Sequence, residues 1–263
     1  MRITTGLLFI AALFFQTGCV TVYKPNSINT PNLYTRHQFR GSAGLGLAGC
    51  GVLNLQGAYS INRKVGVTGS VMVHSKNSEY RAPNSLGLGR HNQYYADGGA
   101  GYFKCIDRMK RYYIQAFGGA GLAYSDNYFS QPDADHIKLQ CTYHNLYVQP
   151  GVYYNNKYYD ASFDLRATYL NIFGIHASSS LYNQKSFYFL TAEPTITLRV
   201  GSKGFRVFMQ TGYTLPFMDT KNYYALNTDA TKRTQSLIKF SMGFNITFTE
   251  NMRNSQKWLK WKN

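Results

Sequence analysis

The feature that most constrains this chain is the alternation in residues 237–249, near its C-terminus. Ile238, Phe240, Met242, Phe244, Ile246 and Phe248 fall on one parity, and Lys239, Ser241, Gly243, Asn245 and Thr247 on the other. A strand turns successive side chains to opposite faces, so this one has an apolar face and a polar face along its whole length. In a soluble sandwich the apolar face would pack on a second sheet. In an outer-membrane barrel it would meet lipid while the polar face lined the lumen. The lysine on the polar face, the nearly C-terminal position and the aromatic ending fit the second case.

Nine further runs alternate in the same way: residues 38–49, 52–62, 65–74, 93–103, 112–124, 139–154, 158–170, 187–200 and 204–215. That predicts ten strands, an even number, as in single-chain bacterial barrels. Pro150 lies inside one run and has no amide proton for a ladder, so a bulge or local opening is expected there. The connections sort by length. Residues 62–64, 104–111, 155–157 and 201–203 read as short turns, and 75–92, 125–138, 171–186 and 216–234 as long polar loops. From residue 62 onward the two kinds alternate, as periplasmic turns and extracellular loops do. The first connection, 49–51, is short yet falls on the long-loop side. The expected fold is all-β, a ten-stranded antiparallel transmembrane β-barrel over residues 38–249. Composition agrees: 23 Tyr, 17 Phe and 24 Gly against 15% charged residues suit alternating strands with aromatic girdles. No apolar run of about 18 residues follows the N-terminus, which argues against a helical membrane bundle.

Residues 1–18 read as an export signal, with Arg2 as its positive start and an apolar stretch over 6–15. Thr17-Gly18-Cys19 resembles a bacterial lipobox, in which Cys19 is lipidated and becomes N-terminal, although Gln16 stands where a lipobox usually has Leu. Residues 19–37, with Pro25, Pro31 and several Asn and Ser, read as an extended periplasmic tether. Cys50, Cys105 and Cys141 have no Cys-x-x-Cys spacing and read as structural, not as metal ligands.

Several short motifs carry a resemblance. Tyr23-Lys24-Pro25-Asn26 with Asn29-Thr30-Pro31, Leu55-Gln56-Gly57-Ala58-Tyr59-Ser60-Ile61, Val65-Gly66-Val67, Gln149-Pro150-Gly151 and Glu193-Pro194 are similar to a family of small outer-membrane β-barrel lipoproteins of Bacteroidetes-type bacteria. These motifs are structural, so the resemblance implies a fold and a Gram-negative cell-envelope location, and no reaction.

Parity places Arg40, Asp97, Asp160, Asp164, Arg166, Glu193, Arg199, Arg206 and Lys239 in the lumen. They would form a polar path or, more simply, an ion-pair network filling a narrow interior. Their near-cancelling charges favour internal pairing. Glu193 is expected to meet an arginine, Arg166 across the strand pair or Arg199 on the same strand. A weaker alternative is a hydrolase at the barrel mouth. It would use Asp126, Asp133, Asp135, His136 and His144 near one loop, or His74 and Asp97 facing inward. No catalytic residue, cofactor or metal is assigned. The glycines of residues 41–51 make no phosphate loop, and nucleic acid is not an expected partner, because the basic residues do not interleave with stacking aromatics.

The formal net charge is +16. On this topology the excess gathers on the short-turn rim and in the tail, residues 250–263, whose Arg253, Lys257, Trp258, Lys260, Trp261 and Lys262 mix bases with indoles. Such a surface suits anionic headgroups, orienting the barrel on outer-membrane lipid, or docks an acidic periplasmic partner. The expected protein is a non-enzymatic outer-membrane barrel lipoprotein with both termini in the periplasm, a structural or accessory subunit. A narrow transport pore is the alternative.

Overall fold

The computed structural model describes residues 26–48, 52–82, 85–131, 134–177, 186–202, 204–216 and 238–249. They form one closed, ten-stranded antiparallel β-barrel. Its strands are β1 (Phe39–Ala48), β2 (Leu53–Ser60), β3 (Val65–Ala82), β4 (Ser85–Cys105), β5 (Tyr112–Gln131), β6 (Ala134–Asn155), β7 (Tyr159–Ala177), β8 (Ser186–Gly201), β9 (Phe205–Tyr213, resumed at Leu215–Pro216) and β10 (Ile238–Phe248). Each strand pairs with its sequence neighbours, and β1 pairs with β10 to close the ring. At that seam Phe39 lies opposite Phe248 with their rings stacked at 6.3 Å. Closure gives every strand a partner on both sides around the ring, although β3 runs on past Val73 with β4 alone.

The barrel turns apolar side chains outward and polar ones inward. Along β9 the burial pattern alternates without a break, with Phe205, Val207, Met209, Thr211 and Tyr213 outward and Arg206, Phe208, Gln210 and Gly212 inward. Nearly every other strand likewise exposes its large apolar residues, while buried polar side chains fill the interior. Aromatics rim this outer face at two levels. Tyr102, Tyr112, Tyr159, Phe205 and Phe248 stand near the short turns, and Tyr94, Tyr124, Tyr169 and Tyr188 near the other end. On β5 the rims are Tyr112 and Tyr124, with Ile114, Ala116, Gly118, Ala120 and Leu122 between. The spacing on tilted strands is roughly 20–30 Å.

Three of the four long connections differ from the expected loops. Residues 75–92, 125–138 and 171–186 mostly continue the ladders. β3 and β4 stay in register to Ala82↔Ser85 and β7 and β8 to Phe173↔Ser186, while β5 and β6 pair to Gln131↔Ala134 with a register shift after Phe129. Alternation stops being visible there because the two parities no longer differ in polarity, as in Ile172-Phe173, yet backbone pairing needs no apolar face. The fourth connection lies mostly outside the described residues, as does 49–51.

Two prolines open the ladder locally. Between β6 and β7 the pairing runs to Val148↔Ala167 and resumes at Gly151↔Asp164 with no register shift, so Pro150 gives an opening and not a bulge. Pro194 does the same to β8 and β9. The ladder lapses between Thr195↔Gly212 and Ala192↔Leu215, and β9 is interrupted at Thr214. A missing N–H removes a ladder bond in each case.

The largest departure from expectation is the N-terminal segment. Residues 26–38 are irregular, as the sequence suggests, but they are no free tether: residues 26–33 are buried inside the barrel. The segment passes from mid-lumen at Asn26 to the short-turn end at Leu33, then turns through Thr35–His37 into β1. Asn32 and His37 hold left-handed backbone (φ 44° and 51°), which Asn tolerates better than most residues.

Candidate functional site

The candidate site is the lumen, built by the inward parity of all ten strands together with this strap. At the short-turn end Leu33 packs with Ala58, Phe103 and Phe117. A side chain at Gly66 would put Cβ 2.5 Å from Leu33 Cδ1, so glycine makes room for the strap there. Tyr113 and Tyr153 stack at 4.8 Å, and the Tyr153 hydroxyl donates to the Leu33 carbonyl.

One layer deeper, Asp160 gathers three guanidinium groups. Arg199 Nη1 donates to it at 2.9 Å, Arg40 Nη2 at 3.3 Å, and Arg206 closes the cluster. The strap joins in through Asn32 Nδ2, 3.1 Å from Asp160 Oδ1. Asp164, beside them, accepts from Gln115 at 2.7 Å and Gln149 at 3.4 Å. At mid-depth Arg166 reaches Asp97 at 3.4 Å, lies over the Tyr147 ring at 4.1 Å and donates to Gln149 at 3.0 Å. Asp97 also accepts from Ser70 (2.5 Å) and Tyr95 (2.9 Å).

Glu193 corrects an expectation. Its cation is Lys239, at 2.9 Å, and not Arg166 or Arg199. Arg166 does sit directly opposite Glu193 in the β7–β8 register, but its guanidinium crosses the lumen to Asp97. Lys239 comes from β10, past the small side chain of Thr214 where β9 is interrupted, and Thr214 Oγ1 is 3.5 Å from Glu193 Oε1. Removing one member of a buried pair strands the other charge. Lys239→Ala is therefore expected to lower unfolding stability by about 3 kcal/mol, and Lys239→Met with Glu193→Met to recover most of it. Denaturant titration followed by circular dichroism measures both.

All nine side chains assigned to the lumen by parity are directed inward, and each is held by a partner on another strand or on the strap. The strap itself is gripped mainly through its backbone. Gln56 donates to the Ser27 carbonyl (2.8 Å), and Gln210 both accepts from Ile28 N–H and donates to its carbonyl (2.9 Å each). Gln149 donates to the Asn29 carbonyl (2.9 Å) and Arg199 to that of Thr30 (2.7 Å). Asn32 N–H donates to Gln115 (3.3 Å). Bonds of this kind contribute about 0.5–1.5 kcal/mol each, net of lost water. Above the strap a polar cavity of about 10 Å³ is lined by Asn26, Tyr95, Tyr143, Asn145, Arg166, Thr168 and Glu193. That is room for one water-sized sphere. Beyond it Met72, Tyr95, Ala123, Cys141, Tyr143, Leu170 and Ile172 form an apolar cluster on one wall.

Of the residues considered for a mouth hydrolase, Asp97 stands on β4, His144 on β6 and His74 on β3. The Asp97 carboxylate is taken by Ser70, Tyr95 and Arg166. His144 lies beside Asn171 and Phe173. His74 is buried on the inner face of β3. Asp133 and the side chains of Asp135 and His136 lie outside the described residues. Among the described residues no group of three or more His, Cys, Asp or Glu could hold a metal ion, and Cys105 and Cys141 are free thiols. Cys19, Cys50 and the tail with Arg253, Lys257, Trp258, Lys260, Trp261 and Lys262 lie outside them.

The short-turn rim exposes Arg63, Lys64, Lys104, Arg108, Lys110, Arg111 and Lys157, with Ile61, Ile106, Met109 and Tyr158 among them. Its acid, Asp107, is used structurally. Desolvation works against its charged form. Donors from the Tyr112 and Arg111 backbone and from Cys105 outweigh that and hold the carboxyl below its ordinary range. Among the described residues the rim thus sets seven exposed basic side chains against this one carboxylate.

The chain matches no protein-family model, and no curated protein matches it.

Proposed function

We propose that this chain is an outer-membrane β-barrel lipoprotein of a Gram-negative envelope, a non-enzymatic structural or accessory subunit whose pore is sealed by its own N-terminal segment. The carrying observation is the combination of an apolar outer belt with a lumen filled by the strap and its ion pairs. A belt of this extent is untenable in water and is what hydrocarbon requires of a spanning sheet. The resemblance to Bacteroidetes-type barrel lipoproteins and the export signal agree with this location. On this reading the short-turn end faces the periplasm, its basic rim resting on anionic headgroups or meeting an acidic partner.

Planar-bilayer recording tests the sealed reading. Purified wild-type protein is expected to insert without stable open steps. Regular ohmic steps from the unmodified protein would favour the narrow transport pore instead.

A further inference from the structure

We propose that the lumen is a binding site for an extended, uncharged peptide with asparagine at every third position, and that residues 26–33 are the resident copy of that ligand, supplied in cis. The proposal extends the sealed-barrel reading but stands on the strap's geometry alone, without the membrane.

Three observations carry it. First, the grip is on main chain. Gln56, Gln210, Gln149, Arg199, Gln115 and Tyr153, from five different strands, bond backbone groups of Ser27 through Leu33. Main-chain bonds give affinity that does not depend on which chain supplies the peptide. Second, the strap reads Asn26-Ser27-Ile28-Asn29-Thr30-Pro31-Asn32-Leu33, and each asparagine meets the wall. Asn26 Nδ2 donates to Ser70, Asn32 Nδ2 to Asp160, and Asn29 Nδ2 to two strand carbonyls, Gly57 at 2.9 Å and Gly69 at 3.1 Å. The Asn29 position is a site for an amide: a carboxylate there would face two carbonyl oxygens. Third, the grip is largely by carboxamides, while most lumenal charges pair among themselves, so the groove offers a charged peptide little to pair with.

The test keeps the whole chain through folding. A site for a specific protease is inserted at exposed Arg36, between strap and β1; the protein is folded in detergent and then cut. A fluorescent peptide of residues 26–33 is expected to bind the cut protein and to be competed by unlabelled peptide. The uncut protein, its site filled in cis, should bind at least about a hundredfold more weakly, in line with an effective concentration in the millimolar range. A peptide carrying Asn29→Asp should bind at least about tenfold more weakly than the parent, having lost both wall bonds. Changing the peptide leaves the fold of the barrel untouched. The proposal is overturned if the cut protein binds the parent no better than a scrambled peptide. It is equally overturned if uncut protein binds as tightly as cut, or if Asn29→Asp binds as well as the parent. It also fails if the cut strap cannot be competed off by excess peptide. No outcome depends on conductance, so the sealed-barrel reading stands or falls separately.

Discussion

Asp160→Ala is expected to be among the most destabilising single substitutions in this protein, by about 3–5 kcal/mol, the range for breaking a buried ion pair. Asp160 is fully buried and is the shared carboxylate of Arg40, Arg199 and Arg206. Its removal would take from three neighbouring guanidinium groups the carboxylate they share, leaving Asp164, already bonded to Gln115 and Gln149, as the nearest acid, and would free Asn32 of the strap as well. The effect should be non-additive. Arg40→Met placed on Asp160→Ala removes one stranded charge, so the double variant is expected to be more stable than Asp160→Ala alone. Neighbouring charges in one network couple in this way, whereas independent sites add. Unfolding in denaturant, followed by circular dichroism, gives both values. A loss below about 1 kcal/mol for Asp160→Ala would mean that the cluster does not hold the fold.

Leu33→Lys should release the strap and leave the barrel standing. Leu33 is fully buried among Ala58, Phe103 and Phe117, one residue from the contact with the arginine cluster. An ammonium group there would be both desolvated and repelled, which disfavours the docked state by several kcal/mol. The ten-strand ladder does not use the strap, so undocking relieves the strain without unpairing the sheet. The shift should exceed about a hundredfold, and trypsin should then cut after residue 33 in otherwise folded protein, as read by mass spectrometry. Leu33→Met keeps volume and polarity and should remain docked. A Leu33→Lys protein still protected at residue 33, with wild-type stability, would contradict the role given to this contact.

Much of the fold was legible because period-two patterning reports directly on a strand with one polar and one apolar face. Lys239, Ser241, Asn245 and Thr247 are buried and Met242, Phe244, Ile246 and Phe248 exposed, as the parity of residues 237–249 requires. The same rule places all nine lumenal charges. Partner choice was less legible. Register puts Arg166 opposite Glu193, yet across a narrow lumen depth matters as much as adjacency, and Asp97 takes the arginine. The hairpin extensions escaped notice because a ladder outside the apolar belt has no pattern to show. The strap escaped because asparagine and proline without period-two alternation read as a solvated linker. Two signals were present even so: the three-residue spacing of Asn26, Asn29 and Asn32, and the inward glutamines Gln56, Gln115, Gln149 and Gln210, whose buried amides need more partners than the strand side chains alone supply.

The most direct test of the filled lumen is the accessibility of the strap in the native protein. Ser27→Cys, in a background with Cys19, Cys50, Cys105 and Cys141 changed to Ser, is treated with a bulky water-soluble maleimide; Arg36→Cys in the same background serves as the exposed control. With Ser27 2% exposed, the expected result is no labelling of Cys at position 27 until the protein is denatured, while position 36 reacts at once. Labelling at position 27 in the folded protein as fast as at position 36 would contradict a strap held inside the barrel.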